Sequence, residues 1–99
     1  MKIPKRFKLF GRTITVKYDE NEADEYSFKG ATRWREDRIL MARPNIHKTG
    51  TPKSMEQTFC HELTHWILHM MRHKLEGNEE FVDVFASLLH QSLDTMEYK

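Results

Sequence analysis

Apolar and polar residues alternate with a period of two along the first half of the chain, and beyond residue 50 the period lengthens to that of a helix. Phe7-Lys8-Leu9-Phe10, a turn at Gly11-Arg12, and Thr13-Ile14-Thr15-Val16-Lys17-Tyr18 predict a β-hairpin with Ile14, Val16 and Tyr18 on one face. Residues 19–25 hold five acids in seven positions, either a solvated loop or one exposed helical turn. Residues 26–34 and 38–43 predict two further short strands joined at the polar turn Arg35-Glu36-Asp37, with Ile39, Leu40 and Met41 the most apolar stretch. Arg43-Pro44-Asn45 ends the last of them.

Thr51 then offers a cap and Pro52 a first helical position, followed by Met55, Phe59, Leu63, Trp66, Ile67 and Met70 at spacings of three and four. This predicts an amphipathic helix over about 52–72. Gly77 suits a left-handed exit and Asn78 an N-cap, so a second helix is expected over about 79–96. Its apolar stripe is Phe81, Val84, Phe85, Leu88, Leu89, Leu93 and Met96. Strands over about 7–43 followed by two helices make an α+β domain.

At 99 residues there is room for one domain, residues 1–99, with one two-layered core. Sixteen Lys and Arg nearly cancel fifteen Asp and Glu, which gives no strong signal for nucleic acid. Arg33, Arg35, Arg38 and Arg43 accordingly read as a solvated face. No apolar run nears the ~18 residues that span a bilayer, and no signal-peptide core follows the basic start. A soluble cytoplasmic protein is therefore expected. Cys60 is the single cysteine, which excludes an internal disulfide and every zinc site built on several thiolates.

The chemistry concentrates in His61-Glu62-Leu63-Thr64-His65. Helical residues advance about 100° each, so His61 and His65 lie about 40° apart, one turn up, and two imidazoles can share one metal ion. Glu62 falls about 60° from His65, placed to reach a water on that metal without ligating it. The alternative is an amphipathic helix with solvated histidines, which the apolar flanks Phe59-Cys60 and Trp66-Ile67-Leu68 disfavour. A catalytic zinc needs a third protein ligand and leaves one position for water. Glu79 can supply that ligand. Asp83, one turn on, can accept the remaining N–H of a liganding histidine.

Glu79 can reach the metal only if the first helix ends early, near residues 70–73. Extended to Lys74 it would finish about 13 Å past His65, and Asp83 or His90 would then rival Glu79. Glu80 is another rival, although its fourth position onward is Val84. His69 lies about 12 Å along the axis from His61, too far to share its metal, and reads with His73 as a surface or supporting group. Cys60 and His90 read as structural, as do Trp34 and Trp66.

His61-Glu62-x-x-His65 with Glu79-x-x-x-Asp83 resembles the gluzincin clan of zinc metallopeptidases. Within it, the short length, the His69 that closes His65-Trp66-Ile67-Leu68-His69, and Asp83-Val84-Phe85-Ala86 are similar to the small ImmA/IrrE-type peptidases and minimal gluzincins, many of them phage-associated. The resemblance covers roughly residues 11–93. It implies a zincin-like fold, with a three- or four-stranded sheet on an active-site helix and a glutamate helix. It also implies one zinc per chain between the helices, and a protein or peptide substrate paired along an exposed edge strand. Ile39, Leu40, Met41 and Ala42 are the candidate edge. The second histidine is preceded by Thr64 where the clan often has Gly, and no separate C-terminal subdomain is expected to close the cleft.

The expected activity is peptide-bond hydrolysis, with Glu62 taking the proton from zinc-bound water. The tail, residues 91–99, is long enough to lie across the cleft, which would make the enzyme latent until a partner or a cleavage relieves it. The alternative function is a zinc-stabilised regulatory or interaction domain, bound to a protein partner and with little or no peptidase activity.

Overall fold

The computed structural model describes residues 1–18, 30–42 and 51–98. Four strands, β1 (Arg6–Leu9), β2 (Arg12–Tyr18), β3 (Gly30–Arg33) and β4 (Arg38–Met41), precede two helices, α1 (Pro52–Met70) and α2 (Glu79–Thr95). Among the described residues the architecture is α+β, a mixed sheet with two helices, and no helix is long and apolar enough to cross a membrane. The acidic run at 19–25, the start of the strand expected at 26–34 and the stop at 43–45 lie outside the described residues.

β1 and β2 form the expected hairpin, with Leu9 opposite Arg12. Its turn is Phe10-Gly11, one residue earlier than the composition suggested. Both residues take positive φ, 48° and 79°, as a two-residue hairpin turn requires; glycine meets this freely, and Phe10 is driven there by the pairing on either side. Ile14 and Val16 are buried, while Tyr18 at the strand end is exposed. β3 and β4 pair antiparallel around a single 3-10 turn, Trp34–Glu36, closed by Asp37 at φ 50°.

Strand order corrects the expected substrate edge. The sheet runs β1-β2-β4-β3, with β4 parallel to β2 on one side and antiparallel to β3 on the other. Ile39, Leu40 and Met41 therefore occupy an interior strand, and Ala42 follows it; none of the four forms an edge. All three strand residues are buried, although successive side chains face opposite sides of the sheet. A continuous apolar run marks a strand covered on both faces. Among the described residues the edges are β1 and β3.

Thr51 Oγ1 accepts the Ser54 N–H at 3.1 Å with Pro52 in the first turn, so α1 begins where its cap predicts. It stops at Met70 in a Schellman arrangement, with the His73 N–H on the Leu68 carbonyl (2.9 Å) and the Arg72 N–H on His69 (3.0 Å). The left-handed residue is Arg72, φ 53°, and not Gly77. The chain can thereby turn back at once, and Asn78 Oδ1 caps α2 through the Phe81 N–H.

Ile14, Val16, Ile39, Met41, Phe59, Cys60, Trp66 and Ala86 form the core. On α2 the buried residues are Val82, Ala86 and His90, whereas Val84, Phe85 and Leu88 are exposed. The expected apolar stripe is thus about one position out of phase. The small Val82 and Ala86 bring α2 close to α1, and the seam between the helices is completed by polar pairs.

Candidate metal centre

One helix and the first turn of the next bring three predicted residues together. His61 Nε2 and His65 Nε2 lie 3.2 Å apart. The Glu79 carboxylate spans them, with Oε2 3.1 Å from His61 and Oε1 3.0 Å from His65. This convergence depends on the early stop of α1. One turn and a short return place Glu79 level with the two histidines, as the third-ligand expectation requires.

The outer nitrogens are also occupied. His61 Nδ1 lies 2.8 Å from Asp83 Oδ1, and His65 Nδ1 lies 3.0 Å from the backbone carbonyl of Glu76. A carbonyl and a carboxylate only accept hydrogen bonds, so each Nδ1 must carry the proton. In the neutral imidazoles each Nε2 then presents a lone pair. Two lone pairs and a carboxylate meet at little more than 3 Å, an arrangement that repels itself unless a positive charge sits among them. Two imidazoles and a carboxylate are a donor set suited to a catalytic zinc.

Glu62 projects to the side of this cluster and is only 7% exposed. Burial, and then the charge of Glu79, push its carboxyl up to about 7, against a smaller opposing pull from Arg33. A carboxyl that exchanges protons near neutrality suits a general base. Cavities of about 410 and 770 Å³ flank it, and Gly30, His61 and Glu62 line both. β3 brings Gly30 against this position. A Cβ there would fall 2.6 Å from Thr58 Cγ2 and 3.4 Å from Glu62 Cγ, so only glycine lets the strand approach so closely.

The remaining candidates fall outside the centre. His90 is buried and pairs with Glu56 at 2.8 Å, far down the helix seam, which fits its structural reading. His73 Nδ1 accepts the Leu75 N–H at 3.1 Å and shapes the turn. Cys60 is fully buried, and burial pushes its thiol up to about 11, so it is inert at neutral pH. Glu80 is exposed and has no place in the cluster. Residues 91–95 of the tail do not lie across the cleft but continue α2, and Asp94 is held 2.6 Å from Lys53, about 22 Å along the helix from Glu79.

Two contributors are absent from the sequence expectation. The Glu76 carbonyl leaves no trace in residue identity, because any residue could supply it. Gly30 could have been noticed only as a glycine inside a strand pattern, a hint of close backbone approach. Compared with models of protein families, with curated proteins and with solved structures, the chain matched none, so its chemistry must be read from these residues themselves.

Proposed function

We propose that this chain is a small zinc metallopeptidase with a zincin-like fold, in which His61, His65 and Glu79 hold one zinc and Glu62 is the general base. The observation that carries this reading is the meeting of acceptor atoms from three side chains about 3 Å apart, with both imidazole protons directed outward. The likeness of His61-Glu62-x-x-His65 and Glu79-x-x-x-Asp83 to the gluzincin pattern supports it. When bound, zinc polarises a carbonyl and makes water acidic enough to attack at neutral pH.

The chain's own residues do the rest. Glu62 accepts a proton from the attacking water and returns it to the leaving amine. Asp83 and the Glu76 carbonyl keep the two imidazoles in the tautomer that presents Nε2. The outer edge of β3 borders the larger cavity through Gly30, Ala31 and Thr32. It offers backbone groups to which an extended peptide can add as a further strand.

A second reading, a zinc-stabilised regulatory domain without turnover, is favoured by the openness of the centre: the Glu79 and Asp83 side chains are 64% and 67% exposed. Elemental analysis and peptide-library turnover of wild type, Glu79→Ala and Glu62→Gln separate the two. The peptidase requires about one zinc per chain in wild type and Glu62→Gln, much less in Glu79→Ala, and a loss of about 10²–10⁴-fold in turnover for Glu62→Gln. Wild type that takes up no zinc even when supplied with it would end both readings. Zinc uptake without any turnover would leave the regulatory one.

A further inference from the structure

His65 is held from outside by a contact that does not end at the Glu76 carbonyl. The Glu76 side chain turns back, and its Oε1 lies 2.7 Å from Nδ1 of His69, one helical turn beyond His65. Glu76 thus faces two histidines of the same helix face, one through its backbone and one through its carboxylate. The His69 ring in turn lies flat on Trp34, with centroids 4.0 Å apart and planes within 11°. Trp34 meets the fully buried Trp66 edge-on at 4.6 Å, so the stack rests on the core.

The other bonds of the turn carrying Glu76 are local. The turn spans the residues between α1 and α2, and its bonds are the His73 N–H on the Leu68 carbonyl (2.9 Å), the Leu75 N–H on His73 Nδ1 (3.1 Å), the Glu76 N–H on the His73 carbonyl (3.1 Å) and the Asn78 N–H on Leu75 (3.0 Å). None of these bonds runs from Glu76 itself to α1; the His69–Glu76 pair does, one helical turn beyond the contact of the Glu76 carbonyl with His65.

We propose that His69 is a positioning residue for the metal centre. Braced on Trp34, it grips the Glu76 carboxylate and so keeps the Glu76 carbonyl on His65 Nδ1, which leaves Nε2 of His65 free to ligate. A histidine serving only as packing would be replaceable by any flat ring, whereas this role needs the ring N–H. The effect on zinc rests on the assignment of His65 as a ligand; the coupling of His69 to His65 does not.

The test uses imidazole-labelled protein at one fixed pH. It follows water exchange of the His65 Nδ1 proton by NMR in metal-free and zinc-supplied samples, and zinc affinity by chelator competition. His69→Phe keeps the ring on Trp34 and removes the donor, Glu76→Ala removes the acceptor, and Glu76→Gln retains one. The first two variants should exchange that proton faster than wild type and bind zinc about tenfold more weakly. Glu76→Gln should restore both toward wild type. His65 exchange and zinc affinity unchanged in His69→Phe and Glu76→Ala would overturn the proposal. If His69→Phe fails to fold, the contrast between Glu76→Ala and Glu76→Gln decides it in the same way. Wild type that binds no zinc, with His65 exchange still responding to His69, would sustain the coupling and overturn the metal reading instead.

Discussion

Glu56 and Glu62 lie less than two turns apart on α1, are 8% and 7% exposed, and are driven in opposite directions. His90, with the Met1 ammonium and Lys53 behind it, holds the Glu56 carboxyl below its ordinary value. Burial and the negative charge of Glu79 push Glu62 up to about 7. Each glutamate belongs to one end of the seam between α1 and α2, and each end has a trio of His and acid groups whose ligand atoms lie within 4.8 Å of one another: His61, His65 and Glu79, or Glu56, His90 and Asp94. At the Asp94 end the space among the acids is already taken by cations, with the Met1 ammonium 2.6 Å and Lys53 Nζ 2.6 Å from Asp94 Oδ1. At the Glu79 end the donors face one another. A count of potential ligands does not distinguish them; what stands between the ligands does.

The comparison can be broken most forcefully at Glu62. Its carboxyl titrates higher in the folded chain than the ordinary 4.5, so the folded state binds the proton more tightly. Stability of the metal-free protein is then highest below about pH 4.5 as far as this group is concerned, and falls as pH rises toward 7. Replacing Glu62 by Gln removes that decline, so metal-free Glu62→Gln should exceed wild type by up to about 3 kcal/mol at pH 8 in denaturant unfolding. Parallel stability curves for the two proteins from pH 4 to 8 would show that Glu62 feels no such environment.

Zinc should distinguish the two ends next. Ligand at about 100 times its Kd stabilises a folded protein by about 2.7 kcal/mol, and thermal unfolding with and without zinc reads that gain. It should vanish in Glu79→Ala and persist in Asp94→Asn. The reverse pattern would move the metal to the other end of the seam, where it would have to displace Lys53 and the Met1 ammonium.

Much of the site end is legible in the sequence, and the reasons are local. Spacing of four on one helix fixes His61 and His65 against each other, and a short return with Asn78 as cap fixes Glu79 and Asp83 near them. The misread features are non-local or lack a residue signature. β4 enters the sheet beside β2, so its interior position depends on a strand order that a single strand cannot reveal; its unbroken apolar run was the available sign. The exit from α1 uses Arg72 in a conformation that usually calls for glycine. The rotation of α2 follows the polar partners Glu79, Asp83, His90 and Asp94, which outweigh the more apolar stripe of Val84, Phe85 and Leu88.

Gly30 brings the sheet against α1 at Thr58 and Glu62, so a methyl group there tests whether close approach of β3 matters. Gly30→Ala sets its Cβ against the Thr58 methyl at 2.6 Å, and a β-branched side chain on a helix has little rotamer freedom with which to yield. A loss of about 1–3 kcal/mol is expected. Thr58→Ser deletes that methyl but keeps the hydroxyl that bonds the Ser54 carbonyl at 3.1 Å. It should therefore restore most of the loss in the double variant. A double variant no more stable than Gly30→Ala would place the strain elsewhere.

The smallest effect belongs to the Asp94 end and appears in acid. Glu56 and Asp94 both titrate below their ordinary range, Glu56 chiefly through His90 and Asp94 chiefly through Lys53 and the Met1 ammonium. Their folded values are depressed relative to the unfolded chain, so the stability they contribute is present above about pH 4 and drains away as pH falls further. Asp94→Asn should flatten that acid limb slightly while leaving the decline between pH 4.5 and 7 untouched, because that decline belongs to Glu62. Glu62→Gln should do the opposite. An acid limb unchanged in Asp94→Asn would mean that the Lys53 and Met1 contacts are too well solvated to contribute. The self-neutralised end of the seam would then be held by the buried Glu56–His90 pair alone.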